Sequence, residues 1–331
     1  MSGRGAMAPA RRWSGASVAA LATALAGCGS SSASSSTSPS ALSAEAIEVP
    51  ERRPTAGERL LELAPAGADA LLEIDLARLR DNAQVGPLVR AVTGGGARAG
   101  LLAASDLLVF VSYRVGHDDA AQLVLAAGPR TGELAGARAI TGDVVAIGPP
   151  ALLDRVAAVV EGREPALAGD LELRRTRALA MPERAEGASV RMAARLGFDA
   201  RVALASELDI EAVPAWLSIW LDVADDLALV ALLGGDGEAT PEELAQAVDR
   251  LVRRVAITPA LRALGVARIA RLARVQARGP DARVVLVIGP RRLGLLVDRV
   301  MARLAAPPPA GAPAAPEPDA PADEVPEEEV P

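Results

Sequence analysis

The 331-residue chain contains no lysine, a single cysteine, Cys28, and a single histidine, His117. One cysteine allows no internal disulfide, and one histidine beside it supplies fewer ligands than zinc sites use. Without lysine the chain cannot form the lysine-containing phosphate loop of P-loop nucleotide-binding proteins. These absences exclude a disulfide framework and a P-loop, and we predict neither a cofactor nor a metal.

Aromatic residues and clustered basic residues are also scarce. Phe, Trp and Tyr make up 2% of the chain, whereas apolar residues as a whole make up 50%. The core must therefore be built from leucine, valine, alanine and isoleucine. The formal net charge is −7, whereas nucleic-acid binding requires a concentrated basic face. We therefore predict no nucleic-acid partner.

The N-terminus begins with a basic segment that is followed by a short apolar run. Arg4, Arg11 and Arg12 supply its charges, and residues 13–27 carry none. A run of about 15 residues is too short to span a bilayer, which needs about 20 residues. A basic start, a short apolar run and small residues at its end are typical of a secretory signal peptide. We predict that residues 1–27 form such a signal.

The apolar run ends with the sequence Leu25-Ala26-Gly27-Cys28. An aliphatic residue, two small residues and a cysteine in this order resemble the lipobox of bacterial lipoproteins. The resemblance implies that the Cys28 thiol receives a diacylglyceryl group, that the chain is cut before Cys28 and that the new amine is often acylated. It also implies a lipid-anchored protein of the cell envelope, with the lipid bilayer as a partner. An ordinary signal peptide is the alternative.

Both ends of the mature chain have the composition of disordered segments. Residues 28–56 form a serine-rich tether that begins with the lipidated cysteine, and residues 307–331 are rich in proline, alanine and glutamate. Such segments bury too little apolar surface to fold. Gly29 is not the aspartate that retains some lipoproteins at the inner membrane. The resemblance therefore favours the outer membrane, facing the periplasm or the cell surface.

The remaining residues predict an α+β body in two halves, residues 57–168 and 169–306. Apolar and polar residues alternate over residues 70–75, which is the pattern of a half-buried strand. Several later pairs of strand-like segments are joined by polar turns and predict hairpins. Residues 240–243, Thr-Pro-Glu-Glu, predict a helix N-terminus.

Two segments of the body match each other. Residues 144–149 have the sequence Val-Val-Ala-Ile-Gly-Pro, residues 285–290 have Val-Leu-Val-Ile-Gly-Pro, and each precedes a helical segment. Two explanations of this match remain open: duplication of a strand–strand–helix unit, and convergence of two segments of simple composition. Helices packed on a sheet of such units predict a two-layer sandwich of antiparallel sheet and helices. Residues 68–79 and 220–229 also loosely resemble segments of uncharacterised exported bacterial proteins, which have no known activity.

The candidate catalytic residues form no recognisable site. His117 lies in a predicted hairpin turn beside two acids, and the body contains no Gly-x-Ser-x-Gly segment, so no serine–histidine site is predicted. Glu73 and Asp75 share one side of a predicted strand, as do the three acids of residues 207–211 if that segment is extended. Paired carboxylates can perform acid–base chemistry or bind calcium, but exposed strand faces have the same composition. An exported hydrolase with a carboxylate-based site is therefore the alternative function, and we predict no catalytic residue.

Trp216 and Trp220 are the candidate binding residues. Both lie on one side of a predicted strand, residues 216–223, whose other side is aliphatic. If the aliphatic side meets the helices, both indoles face solvent or a partner, where tryptophan is a strong binding anchor; the alternative is that both sides are covered. The sequence predicts a membrane-anchored envelope lipoprotein with a non-enzymatic binding or structural role toward an unknown envelope protein or ligand.

Overall fold

The computed structural model describes residues 55–93, 99–182, 185, 187–258, 262 and 266–305. The predicted signal peptide, the lipobox with Cys28, most of the tether and the acidic tail lie outside these residues. Within them, ten β-strands form one antiparallel sheet. The strands are β1 (Ala70–Asp75), β2 (Leu107–Tyr113), β3 (Ala121–Ala127), β4 (Arg138–Thr141), β5 (Val144–Ile147), β6 (Val190–Arg195), β7 (Trp216–Val223), β8 (Leu227–Gly234), β9 (Arg274–Arg278) and β10 (Asp281–Ile288).

The α-helices that we number within the described residues lie before, between and after these strands. They are α1 (Ala56–Leu61), α2 (Leu76–Asp81), α3 (Gly86–Thr93), α4 (Ala99–Ala104), α5 (Pro150–Val160), α6 (Leu171–Leu179), α7 (Phe198–Leu208), α8 (Pro241–Ile257), α9 (Val266–Ala270) and α10 (Pro290–Ala305). In this part of the chain we find no helix with the length and apolar character needed to cross a membrane. Thr55 caps α1 through reciprocal hydrogen bonds with Glu58, so Thr55 and Ala56 of the predicted tether belong to the first described helix and its cap.

The strands follow the order β4-β5-β3-β2-β1-β6-β7-β8-β10-β9. The central pair, β1 and β6, is antiparallel and brings together the first strands of the two halves. If the five strands of each half are numbered along the chain, both halves have the same order from the centre of the sheet to its edge: first, second, third, fifth and fourth. The expected α+β sandwich of antiparallel sheet and helices is confirmed.

Apolar side chains are buried on both faces of the sheet. Ala193 and Ala194 are consecutive residues of β6 and point to opposite faces, which we call face 1 and face 2. On face 1, helices α1, α5 and α6 pack on the first half of the sheet. This core includes Leu60, Leu61, Leu71, Val109, Val111, Leu123, Leu125, Leu152, Val156 and Leu173. On face 2, helices α8 and α10 pack on the second half. That core includes Leu217, Ile219, Leu229, Leu244, Val248, Leu251, Val284, Leu286, Leu293 and Val297.

Local sequence signals explain where the main helices begin. The Asp75 carboxylate, at the end of β1, accepts a hydrogen bond of 2.8 Å from the backbone N–H of Arg78 and caps α2. Thr240 and Glu243 form a capping box at the start of α8, with Pro241 in its first turn. The predicted helix start at residues 240–243 is confirmed.

The two matching segments occupy equivalent strands but lead into helices on opposite faces. Residues 144–149 contain β5 and residues 285–290 contain the end of β10, and these strands hold the same place in the two halves. Helix α5 packs on face 1, whereas α10 packs on face 2. As a result, β10 is covered on one face only: its face-2 side chains are buried, whereas its face-1 side chains are exposed or half-buried. The face-1 side chains of the neighbouring strand β9 are exposed.

Candidate binding site

Helix α7 lies on face 2 with little of its surface buried. Ala200 is its buried residue, whereas the side chains of Phe198 and Val202 are 67% and 53% exposed. The apolar residues of α7 do not form one continuous stripe along the helix, so no single side of it can be fully covered by the sheet. Two large apolar side chains one helical turn apart therefore face outward.

The first turn of α7 is fixed by neighbouring loops. Gly116, in the turn between β2 and β3, has a φ of +89°, and a Cβ atom there would lie 2.6 Å from the Cα of Ala200. Arg201 forms ion pairs of 2.9 Å with Asp236 and with Glu238. These contacts hold the start of α7 against the sheet.

The last turn of α7 is fixed by helix α8. Asp209 ends α7 with φ 50° and ψ 57°, a left-handed conformation that is uncommon for residues other than glycine. Arg254 of α8 donates hydrogen bonds to the carbonyl oxygen of Leu208 at 2.5 Å and to Oδ2 of Asp209 at 3.0 Å. Helix α7 is thus anchored at both ends, with weaker packing in between.

A groove of about 330 Å³ runs along α7, next to residues 211–213 and α8. Its apolar wall includes Phe198, Val202, Ala205, Ala212, Val213 and Ala239. Its polar rim includes Arg201, Glu211, Glu238, Glu243, Gln246 and Arg250. The groove combines exposed apolar surface with charges of both signs.

A second cavity, of about 40 Å³, lies beneath α7 and is lined by apolar residues alone. They are Leu196, Leu204, Leu208, Ile210, Ala212, Val213, Pro214, Leu217, Ile219, Ala231, Leu233, Leu244, Ala247, Val248 and Leu251. Ala212 and Val213 line both this cavity and the groove, so the two spaces adjoin. Because a small aliphatic cavity has no hydrogen-bond partners for water, this space suits an apolar group.

Charged side chains at the groove are held by hydrogen bonds or ion pairs. The hydrogen bonds from the backbone N–H and hydroxyl of Thr240 lower the pKa of the Glu243 carboxyl. Arg250 lies 3.3 Å from Glu211. A carboxylate with a lowered pKa is a poor proton donor near neutrality, so this rim is better suited to orienting a ligand than to acid–base catalysis.

The histidine and the acids considered from the sequence do not converge. His117 is 42% exposed, and its Nε2 lies 3.7 Å from Oδ2 of Asp199. Residues 207–211 contain the end of α7 and the following loop, so their three acids do not share a strand face. In the part of the chain that the structure describes, no group of three or more His, Cys, Asp or Glu residues could hold a metal ion.

Glu73 is buried in an ion-pair network instead of lying on an exposed strand face. Its carboxylate accepts hydrogen bonds from Nε and Nη2 of Arg177, and Arg177 also contacts Glu58. Burial lowers the pKa of Arg177, but the hydrogen bonds and charges of Glu73 and Glu58 outweigh burial and raise it. This network joins α1, β1 and α6 and has a structural role.

The expected exposure of both tryptophans is wrong for Trp220. This side chain is 7% exposed, and its Nε1–H donates a 2.8 Å hydrogen bond to the carbonyl oxygen of Gly187. It packs on face 1 with Ala180, because the chain after α6 crosses this part of the sheet. Trp216 is half-buried and lies against Gly234. Face 1 is covered at Trp220, which leaves Trp216 alone partly open to solvent.

Phe198 and Val202, the outward residues of the groove, were not among the residues predicted from the sequence. One signal for them does exist, because Phe198 is one of only two phenylalanines in the chain. Val202 follows it at the spacing that places two side chains on the same side of a helix. The signal is weak because the surrounding segment lacks the apolar period that would have predicted a helix there.

Comparisons with known proteins give little beyond this geometry. No protein-family model and no curated protein sequence matches the chain. Among solved structures, it is similar to crystal forms I and III of TP0453, a Treponema protein. In both cases the identity is 11%, the match covers 72% of this chain and 96% of that one, and the TM-score is 0.39.

Proposed function

We propose that this protein is a membrane-anchored lipoprotein of the cell envelope whose body has a non-enzymatic binding role. The groove beside α7 binds the apolar part of a ligand, and acylated Cys28 keeps the body near the bilayer. The lipobox sequence, Leu25 to Cys28, supports the anchor. The exposed apolar side chains at the groove support the binding role.

The observation that carries the binding role is the position of Phe198 and Val202 on a groove that adjoins an all-apolar cavity. Exposed apolar surface that is rimmed by polar residues marks interaction sites. Covering the exposed part of each side chain contributes about 1–2 kcal/mol, so these two residues can supply much of the affinity for an apolar group.

The volumes of the groove and of the cavity indicate how an apolar group binds. A cavity of about 40 Å³ holds only about three water-sized spheres, which is too small for a long hydrocarbon chain. The groove of about 330 Å³ is large enough for the first contact. An extended apolar ligand therefore occupies the groove and reaches the space beneath α7 only when the middle of that helix moves outward.

A fluorescent probe tests this proposal. The full mature chain with Cys28→Ser is titrated with N-phenylnaphthylamine, an uncharged apolar fluorophore, in detergent-free buffer. Replacing both Phe198 and Val202 with alanine removes the outer wall, and Ala212→Leu adds bulk where groove and cavity adjoin. We expect saturable binding that weakens about tenfold or more in either variant. The double alanine variant loses about 1.5 kcal/mol or more of apolar burial, and Ala212→Leu fills the space into which the probe extends.

The matched control replaces two equally exposed apolar residues elsewhere. Leu171 and Leu295 are 61% and 58% exposed and do not line the groove, so the Leu171→Ala, Leu295→Ala variant keeps the affinity for the probe. Equal probe affinity in the groove variants and in this control would show that the groove is not the binding site.

A further inference from the structure

Face 1 of the second half of the sheet forms an open surface at strands β8, β9 and β10. In the first half, helix α5 packs on face 1 beside β5, but its counterpart α10 packs on face 2. Within the described residues, the face-1 side chains at the outer end of this half are therefore uncovered. Val287 of β10, for example, is 43% exposed.

This surface contains a hollow of about 290 Å³ that we call the arginine shelf. Its floor is formed by Val230 and Leu232 of β8, and the end of α6 forms one wall. Its charged residues are Arg278, Asp281 and Arg283. The shelf thus joins an apolar floor to two guanidinium groups and one carboxylate.

The two arginines of the shelf lack ionic partners in the described part of the chain. Arg278 and Arg283 form no ion pair there, whereas Arg78, Arg155, Arg177 and Arg195 all do. The Nε atom of Arg283 is buried without a hydrogen-bond partner among those residues. A buried donor without an acceptor is unfavourable, so the shelf is suited to a segment that brings carboxylates.

The chain itself contains such a segment. Residues 307–331 carry seven acidic residues and no basic residue, and two valines, Val325 and Val330, lie among the last acids. We propose that this C-terminal segment occupies the arginine shelf, with its carboxylates on Arg278 and Arg283 and its valines toward the apolar floor. The proposal is independent of the groove beside α7.

The length of the segment permits this contact. Helix α10 ends at Ala305, and the residues after it span up to about 80 Å when extended at about 3.1 Å per residue. Ten strands spaced about 4.8 Å apart form a sheet about 45 Å wide. The segment can therefore pass around the β9 edge from α10 to face 1. Since both partners belong to one chain, their effective concentration is in the millimolar range.

The absence of lysine in the chain allows a direct test. A carbodiimide joins a carboxylate to an amine, and in the full chain with Cys28→Ser the N-terminus supplies the native amine. Arg278→Lys and, separately, Arg283→Lys keep the charge of the shelf and add one reactive amine. After cross-linking, trypsin cleaves after Arg303 and releases residues 304–331 as one peptide, which mass spectrometry identifies together with its partner.

We expect this C-terminal peptide to be joined to the substituted position in both shelf variants. The yield should exceed that of Arg299→Lys, an exposed control on α10, by about tenfold, and it should fall at high salt because exposed charge pairs are screened. Equal yields in the shelf and control variants, or joining of the new lysines only to carboxylates outside residues 307–331, would overturn the proposal.

A mixture of isotope-labelled and unlabelled chains separates two further outcomes. Cross-links within one chain support the proposal. Cross-links between labelled and unlabelled chains would overturn it, because the shelf would then be an interface between two copies. Vesicles of anionic phospholipid provide a third test. If they bind the intact chain through Arg278 and Arg283, and bind it as strongly as they bind a chain that lacks residues 307–331, the shelf is a lipid site and the proposal also fails.

Discussion

Arg177 of helix α6 and Glu73 of strand β1 form a buried ion pair, with Nη2 of Arg177 2.8 Å from Oε2 of Glu73. The side chains are 7% and 8% exposed. The pair joins β1, the first strand of the first half, to α6, the first helix of the second half. Arg191 of β6 lies opposite Glu73 in the central strand pair, so this charge network is at the centre of the fold.

Removing one member of this pair should destabilise the protein strongly. Arg177→Met leaves the carboxylate of Glu73 buried without its main partner, which costs about 3–5 kcal/mol. Urea unfolding measures the free energy of unfolding of the full chain and of the variant. The control is Arg163→Met, since Arg163 and Glu161 form an exposed pair, for which we expect a loss of at most about 1 kcal/mol. Equal losses in the two variants would refute a structural role for the buried pair.

Substitution of Trp220 should destabilise the protein more than substitution of Trp216. Trp220→Ala removes a buried ring and leaves the carbonyl oxygen of Gly187 without its donor, so we expect a loss of about 3–5 kcal/mol. Trp216→Ala should cost less, because its side chain is half-buried. Thermal and urea unfolding of both variants measure the difference. A Trp220→Ala variant as stable as the unmodified chain would contradict the packing of face 1.

Asp222 should make stability depend on pH. Burial raises the pKa of this carboxyl, but hydrogen bonds from Arg78, Ser189 and the backbone of Val223, with the charge of Arg78, outweigh burial and lower it. A carboxylate whose pKa is lower in the folded state stabilises the fold above its ordinary value of about 3.9 and loses this effect as the pH falls through the folded value. The gap in unfolding free energy between the unmodified chain and Asp222→Asn should therefore be largest at neutral pH and shrink below about pH 4. A gap that stays constant with pH would argue against this contribution.

Lipidation of Cys28 should determine where the protein partitions. Two or more acyl chains give stable membrane attachment, so Cys28→Ser should move the protein from the detergent phase to the aqueous phase. Mass spectrometry of the N-terminal peptide checks the modification itself. An unmodified Cys28 in membrane-bound protein would contradict the anchor.

Most of the sheet could be predicted from local patterns, but strand β6 of its central pair could not. The alternation of residues 70–75 and the turns of the hairpins are visible in the sequence because each strand carries its own apolar side. Strand β6 has the sequence Val-Arg-Met-Ala-Ala-Arg and lacks such a pattern. Arg191 is buried there, and the residue opposite it in the strand pair, Glu73, is distant in the sequence.

The candidate site was harder to predict than the fold for a related reason. Helix α7 has no apolar stripe, and its position depends on contacts with three other segments. Gly116 and Arg254 lie outside the helix, and Arg201 of the helix pairs with Asp236 and Glu238. The exposure of Trp220 was misjudged because the chain after α6, which covers it, has no strong strand or helix pattern of its own. The groove arises from tertiary contacts between segments whose local patterns are weak.

Hydrogen exchange of the backbone amides, with and without N-phenylnaphthylamine, tests the central claim that the groove beside α7 binds apolar ligands. Without the probe, the amides of α7 should exchange faster than those of α8, because weakly packed segments open more readily. With the probe, protection should rise in α7 and in residues 211–213 and stay unchanged in α6. Protection that rises in α6 or nowhere, while α7 exchanges as before, would contradict the account.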